Sequence, residues 1–235
     1  MDSGVGGLTT YKMFIGGEWV DSASGDTFES FNPYTAKPWA LMPKGNAEDV
    51  DRAVEAADKA FKSGDWPALT ATARGHMIRK FADLIVEKAG ELAETEVRDN
   101  GKLIAEMSAQ CAYLAQWYYY YAGLCDKVEG SVIPIDKPGH FNYTVWEPLG
   151  VVACIVPWNS PLLLLAWKLA PLLAAGNTAV IKPSEYTSAS TLEFMKIAEQ
   201  VFPPGVVNVV TGFGGEAGSP LVDHPKVAKV AFTGS

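Results

Sequence analysis

Cysteine and histidine are scarce in this sequence, with three of each among 235 residues. Cys111, Cys125 and Cys154 are an odd number without close spacing, and the histidines are dispersed. This pattern argues against a metal centre, and it fits reduced thiols in a reducing compartment. The sequence therefore predicts a cytoplasmic protein that holds no metal.

A long apolar run is also missing. The most apolar segment, 161–175, contains Lys168 and is shorter than the roughly 20 apolar residues that a membrane span needs. The first residues lack the basic and apolar regions of a secretory signal. The net charge is −8, and no run of Lys or Arg opposes it. Binding to a membrane or to nucleic acid is therefore not expected.

What the sequence does contain is enough apolar residues, 48%, for one or two folded domains. Apolar runs around Gly16-Gly17 predict a hairpin over 12–20, and a second short strand is expected to end at Asn32. Apolar spacings of three and four predict helices from Asn46, an N-cap candidate, and at 72–88, 91–99 and 103–122.

The last of these helices carries an aromatic run, Trp117 to Tyr121. These rings cannot all lie on one side of a helix, so some must contact another element or a second subunit. Packing in the core and at its rim is the alternative, and the pattern favours it.

Residues 127–149 alternate in polarity and predict two strands, 132–135 and 141–146, joined by Lys137-Pro138-Gly139. An isolated ribbon is only marginally stable, so we expect this β-hairpin arm to lie against a partner subunit. A homodimer or homotetramer follows from this expectation. The arm divides the chain into an amino-terminal part, 1–126, and a core, 150–235.

From Gly150 onward, apolar strands alternate with helices. The strands are expected at 151–156, 178–181, 206–210 and 227–232, and the helices at 161–175 and 188–201. This alternation predicts an α/β fold with a Rossmann-like parallel sheet covered by helices on both faces. Ligands bind such sheets beyond the carboxyl ends of the strands.

Polar groups follow these strand ends. The carboxylate of Glu185 can accept hydrogen bonds from two ribose hydroxyls, and the ammonium of Lys182 can donate to the same sugar. A 2'-phosphate would meet like charge there, so the pair predicts NAD rather than NADP. A surface ion pair is the alternative interpretation.

Two further segments have alternative interpretations. The glycines of 212–218 are spaced one residue too widely for the usual pyrophosphate loop, so an ordinary strand-to-helix turn remains open. The amide of Asn159 can donate to an oxygen that gains charge, an interaction typically worth about 2.7–4 kcal/mol. Asn159 can also belong to the cap of the helix that begins at Pro161.

From about Phe14 onward, the chain resembles the NAD-dependent aldehyde dehydrogenase superfamily. The segments that carry the resemblance are Phe14-Ile15-Gly16-Gly17-Glu18-Trp19, Phe31-Asn32-Pro33, Glu147-Pro148-Leu149-Gly150-Val151, Pro157-Trp158-Asn159, Ala166-Trp167-Lys168, Gly176-Asn177-Thr178, Lys182-Pro183-Ser184-Glu185 and Phe232-Thr233-Gly234-Ser235. Their number and their order are hard to obtain by chance.

The resemblance implies a reaction in which a cysteine thiolate attacks an aldehyde, hydride passes to NAD, and water hydrolyses the thioester. It assigns Asn159 to the oxyanion, Lys168 to a buried lysine that supports the site, and Ser235 to the pyrophosphate at a helix N-terminus. Cofactor contacts are further implied at Ile155, Val156, Pro157, Trp158, Lys182, Ser184, Glu185, Gly214, Gly215, Gly218, Phe232, Thr233 and Gly234. Substrate-tunnel positions are implied at Tyr113, Leu163 and Trp167.

The same resemblance places the general base, the nucleophilic cysteine and a second ribose glutamate beyond residue 235. We therefore expect this chain to be the amino-terminal, cofactor-binding part of an incomplete aldehyde dehydrogenase fold, inactive alone. A non-catalytic dinucleotide-binding scaffold is one alternative, and a coenzyme A-acylating or semialdehyde-specific relative is another. The aldehyde itself is not identified by the sequence.

Overall fold

The structure is a computed structural model, and it describes residues 7–234. The strands are β1 (Thr9–Thr10), β2 (Met13–Ile15), β3 (Glu18–Val20), β4 (Thr27–Asn32), β5 (Lys37–Pro43), β6 (Val151–Ile155), β7 (Thr178–Lys182), β8 (Val207–Val209) and β9 (Val227–Phe232). The helices are α1 (Ala47–Lys62), α2 (Asp65–Ala68), α3 (Ala71–Asn100), α4 (Ile104–Leu124), α5 (Pro161–Ala174), α6 (Ala189–Ala198) and α7 (Ser219–Asp223). A π-helical turn, Gly214–Gly218, precedes α7.

The main sheet has six strands in the order β3-β2-β8-β7-β6-β9. Strands β8, β7, β6 and β9 are parallel, as predicted. The sheet as a whole is mixed, however, because β2 runs antiparallel to both β8 and β3. The expectation of a parallel sheet therefore holds only for its carboxyl-terminal strands. The turn between β2 and β3 uses the predicted glycines, with φ values of 64° at Gly16 and 91° at Gly17.

Side chains of β6 alternate between two apolar clusters on opposite faces of the sheet. Val152 and Cys154 contribute to the cluster that includes α3, α4, α5 and α6, and Val151 and Ala153 to the cluster that includes α1 and α7. Helices therefore cover both faces of the main sheet at its central strands, as predicted, whereas the edge strand β9 is largely exposed.

A separate sheet has the order β1-β5-β4. Strand β4 ends at Asn32, as predicted, whereas β5 was not recognised in the sequence. The two prolines of β5 obscure its pattern, because proline lacks the N–H that a strand ladder uses.

Helix α1 begins after Asn46, as predicted, and Asn46 and Asp49 form a reciprocal capping box. The two segments expected at 72–88 and 91–99 are one helix, α3, of 30 residues. Gly90 does not interrupt it, since one glycine costs a helix only about 1 kcal/mol. None of the helices within residues 7–234 is long and apolar enough to cross a membrane.

The arm differs from its prediction. Its two expected strands are reduced to one antiparallel bridge between Val132 and Tyr143. Two backbone bonds flank the bridge, from Ile133 N to Asn142 O and from Thr144 N to Ser131 O, each 2.9 Å long. Every residue of 127–149 is exposed, so the ribbon lacks the packing that would stabilise longer strands. The division of the chain into three segments stays a prediction.

Candidate functional site

The carboxyl ends of the parallel strands lie side by side. Ile155 at the end of β6 pairs with Lys182 of β7 and with Phe232 of β9. Backbone hydrogen bonds extend this pairing past the strand ends. Thr233 N donates to Ile155 O at 3.1 Å, and Val156 N donates to Lys182 O at 3.2 Å. Three of the segments singled out in the sequence therefore share one edge of the sheet.

The segment after β6 passes from the core to the surface. Val156 is buried and Pro157 is partly exposed, whereas the side chain of Trp158 is 54% exposed and Asn159 is also exposed. Within residues 7–234 no hydrogen bond to the Asn159 side chain is found. The N-cap of α5 is Ser160, one residue further on, so the amide of Asn159 remains available to a ligand.

Lys182 and Glu185 form an ion pair with one buried partner. Lys182 is 4% exposed, and its Nζ lies 3.6 Å from Glu185 Oε2 and donates to Pro183 O at 3.0 Å. Burial lowers the pKa of Lys182, and the nearby Glu185 partly opposes this. Because Lys182 is buried, the alternative of a surface ion pair does not describe this site. Ser184 Oγ accepts a hydrogen bond from Tyr186 N and shapes the loop.

The glycines of the π-helical turn have different surroundings. A Cβ on Gly218 would lie 3.5 Å from Lys182 Cδ, so this glycine packs against the lysine stem. Gly214 and Gly215 are exposed, and a Cβ on either would contact nothing within 4 Å. The π-helical turn therefore packs against Lys182 at its Gly218 end, and its backbone is exposed at its Gly214 end.

Phe213 is a residue that the sequence analysis missed. Its ring packs against Phe28, with centroids 5.1 Å apart, and Lys44 Nζ lies 5.7 Å from its centroid. Phe213 also lines a cavity of about 550 Å³ together with Glu185. Its position directly before a glycine-rich turn is the feature of the sequence that could have indicated a place at the site.

Lys168 connects α5 to the end of β9. Its Nζ donates to Thr233 Oγ1 and, at 3.3 Å, to Leu164 O. The side chain is only partly buried, in contrast to the expected buried lysine, because it lies at the sheet edge; partial burial still lowers its pKa. Phe232 and Gly234 are exposed beside it, and Ser235 lies outside the described residues.

The expected substrate positions lie along one aromatic row. Tyr113 contacts Trp117 at a centroid distance of 6.4 Å, and Trp117 contacts Trp167 at 5.7 Å. Tyr113 is 58% exposed and Trp167 is 48% exposed. Leu163, partly buried, precedes Trp167 by one helical turn on α5.

The three thiols are free and buried. Burial raises the pKa of Cys154 to about 12 and also raises the pKa of Cys111 and Cys125. A reactive cysteine needs a thiolate and access to its substrate. None of these three side chains has the properties of the nucleophile.

One group of side chains has metal-ligand chemistry. Ligand atoms of Asp51, Glu55 and His224 lie within 4.8 Å of one another. Lys226 Nζ already contacts Glu55 Oε2 at 2.6 Å, and Lys226 N donates to His224 Nδ1. The Nε2 of His224 then carries the proton and faces Asp51, so hydrogen bonds and ion pairs account for the group.

Comparison with known proteins agrees with this architecture. Residues 19–235 match the model of the aldehyde dehydrogenase family. A (Z)-2-((N-methylformamido)methylene)-5-hydroxybutyrolactone dehydrogenase from Acinetobacter baylyi is 52% identical over 228 residues, which are 97% of this chain and 46% of that protein. A putative aldehyde dehydrogenase, DhaS, from Bacillus subtilis is 45% identical over 96% of this chain and 46% of its own length.

The fold is also found in solved structures. The NAD+ complex of an aldehyde dehydrogenase from Bacillus cereus superposes with a TM-score of 0.93 at 46% identity, covering 96% of this chain and 46% of that one. The chain thus spans about half the length of the relatives it matches. On the family match and these identities, the chain belongs to the aldehyde dehydrogenase family.

Proposed function

We propose that the protein is an NAD-dependent aldehyde dehydrogenase, which oxidises an aldehyde to a carboxylic acid through a cysteine thiohemiacetal and thioester. This chain contributes cofactor binding and the oxyanion donor. Family membership supports the reaction type, and the Bacillus cereus relative was solved as an NAD+ complex. The nucleophile comes from residues outside this segment, because the three thiols within it are buried.

The observation that carries this proposal is the Lys182–Glu185 pair at the edge of the sheet. The Glu185 side chain is 28% exposed and is held by the buried Lys182. A carboxylate held in this way can accept hydrogen bonds from both hydroxyls of a ribose, and it disfavours a 2'-phosphate. These residues therefore fit NAD, which supplies the hydride acceptor when bound.

Asn159 supplies the electrostatic part of catalysis in this proposal. Its amide N–H donates to the aldehyde oxygen as negative charge develops there. The start of α5 adds the partial positive charge of a helix N-terminus close by. Lys168 and Thr233 bind to each other nearby and keep the end of β9 against α5. The row of Tyr113, Trp117 and Trp167 lines an apolar approach for the aldehyde.

NAD titration tests the ribose role. Loss of hydrogen bonds to a charged group costs about 1.5–3 kcal/mol, so Glu185→Ala should weaken NAD binding at least tenfold. Glu94→Ala, which removes an exposed carboxylate from α3, serves as the matched control and should bind NAD normally. Unchanged affinity in Glu185→Ala would contradict the proposed site.

A non-catalytic dinucleotide-binding scaffold is the second candidate, since it needs only the cofactor-binding residues of this chain. It would bind NAD equally well but would form no NADH from any aldehyde in the full-length protein. A coenzyme A-acylating or semialdehyde-specific relative would form NADH and a different product. Product analysis with and without coenzyme A separates these cases. The aldehyde substrate, the homodimer or homotetramer and the cytoplasmic location remain proposals.

A further inference from the structure

Two buried carboxylates lie one helical turn apart at the end of α3. Glu96 is 1% exposed and Asp99 is 2% exposed. Neither was assigned a role from the sequence, although Glu96 follows Leu92 and Ala93 on the apolar side of the helix. Charged groups are rarely buried unless hydrogen bonds compensate the lost hydration. Each of these carboxylates accepts such a bond from the first turn of a different helix.

Glu96 binds the start of α5. Its Oε1 accepts a hydrogen bond from Leu162 N at 2.9 Å. The neighbouring Ser160 makes no capping bond with its own side chain, but its Oγ accepts one from Lys102 Nζ at 3.1 Å. The first turn of α5 is therefore bound to the end of α3 and to the α3–α4 connection. Asn159 is attached directly to this turn.

Asp99 binds the start of α6. Its Oδ2 accepts a hydrogen bond from Ala189 N at 2.9 Å, and its Oδ1 accepts one from Ser30 Oγ at 2.8 Å. The loop before α6 is closed by Ser188 Oγ, which donates to Ser184 O at 2.9 Å. Glu185 lies within this loop, and both Glu185 and Asp99 line the 550 Å³ cavity.

We propose that Glu96 and Asp99 are positioning residues. Each one orients a functional segment of the site by binding the first turn of the helix that follows that segment. Glu96 sets the position of Asn159, and Asp99 sets the position of Glu185. This inference rests on the proposed function, since it assumes that Asn159 acts on the substrate and Glu185 on the ribose. Simple stabilisation of helix ends is the competing explanation.

Separate kinetic and binding effects distinguish these explanations. In the full-length enzyme, Glu96→Ala should lower kcat roughly tenfold to a hundredfold, because a displacement of about 1 Å at a reacting group has effects of this size. The NAD dissociation constant should stay within about twofold of wild type. Glu96→Gln keeps an oxygen that can accept from Leu162 N, so it should restore most of kcat.

Asp99→Ala should show the opposite pattern. We expect the NAD dissociation constant to rise about tenfold, with kcat at saturating NAD and aldehyde within about twofold of wild type. Asp99→Asn can still accept from Ala189 N and should bind NAD nearly normally. Glu94→Ala, exposed on the same helix, should change neither quantity.

A double-mutant cycle tests whether Glu96 acts through Asn159. If it does, Glu96→Ala should lower kcat no further in an Asn159→Ala background. An additive loss, or equal losses of kcat and NAD affinity in both α3 variants, would overturn the proposal. If Glu96→Ala fails to fold, Glu96→Asp, which withdraws the carboxylate by one methylene, decides by the same criteria.

The cycle also separates this inference from the proposed function. If Asn159→Ala lowers kcat while Glu96→Ala does not, positioning by α3 is wrong and the oxyanion role stands. If Asn159→Ala leaves kcat unchanged, the oxyanion role fails and the positioning of Asn159 fails with it.

Discussion

Individual residues at this site depend on contacts made elsewhere in the chain. The stem of Lys182 packs against Gly218, and Gly212 is required for its backbone conformation. Gly212 has a φ of 130°, and a Cβ there would lie 2.7 Å from Gly45 O. Backbone of this kind strongly favours glycine.

Gly212→Ala should therefore be destabilising by roughly 1–3 kcal/mol, because the new Cβ meets a rigid carbonyl in a strained backbone. Gly214→Ala, two residues on, would place its Cβ in open space and should change stability little. Urea unfolding of both variants measures the difference. Equal loss of stability in the two would show that Gly212 has no special backbone requirement.

The buried carboxyl of Glu96 gives stability a dependence on pH. Burial raises the pKa of Glu96 from 4.5 to about 7, against the lowering effects of the Leu162 N–H bond and Lys102. Between these two values the folded protein binds more protons than the unfolded chain. Its free energy of unfolding therefore falls as pH rises through this window.

We expect the stability of wild type relative to Glu96→Gln to fall by about 2–3 kcal/mol as the pH is raised from about 5 to about 8. Urea unfolding at several pH values measures this difference. The uncharged glutamine removes this one titration and leaves Asp99, whose pKa burial raises to about 6, in both proteins. Parallel stability curves would show that Glu96 does not titrate in this range.

Some of these residues could be found from the sequence and others could not. Asn159, Lys182 and Glu185 follow apolar strands in short motifs, so topology and resemblance locate them. Glu96 and Asp99 bind backbone N–H groups, which every residue carries, so no side-chain pattern identifies the partner. A charged residue on an apolar helix stripe is the only sign of Glu96, and it does not reveal which helix Glu96 binds.

At the scale of elements, regular helices and buried strands followed the apolar pattern closely. Helix α1 was located from its spacing and its cap, and the fully buried strand β7 from its apolar run, because apolar side chains fix where each one packs. The arm was not, since strand formation there depends on a surface outside the ribbon. Its exposed aromatic side chains include Phe141, Tyr143 and Trp146.

Substitution of Phe141 and Tyr143 by serine should weaken self-association, because both rings are exposed on the arm that we propose to pair with a second subunit. Sedimentation velocity on the full-length protein measures the oligomer. Tyr34→Ser, at a tyrosine that is 94% exposed on a different loop, is the control. A monomeric wild-type protein, or an oligomer unaffected by both changes, would exclude this role for the arm.

At the scale of the whole molecule, segments on both sides of the arm build one core. Helices α3 and α4 precede the arm, α5 and α6 follow it, and all four contribute to one apolar cluster. The mixed sheet also joins β2, from the beginning of the chain, to β8. Such long-range pairing leaves little local pattern in the sequence. The sequence therefore predicted where the strands lie along the chain but not their order in the sheet.

The exposed course of 127–149 has a consequence for limited proteolysis. The chain leaves the core after Cys125, which is 4% exposed, and returns at Gly150, which is buried. Brief chymotrypsin treatment should therefore cut first at Phe141 or Tyr143, and the two pieces should elute together, since helices on either side of the nick stay packed. If a second subunit covers the arm, the same bond should resist cleavage until dilution separates the subunits.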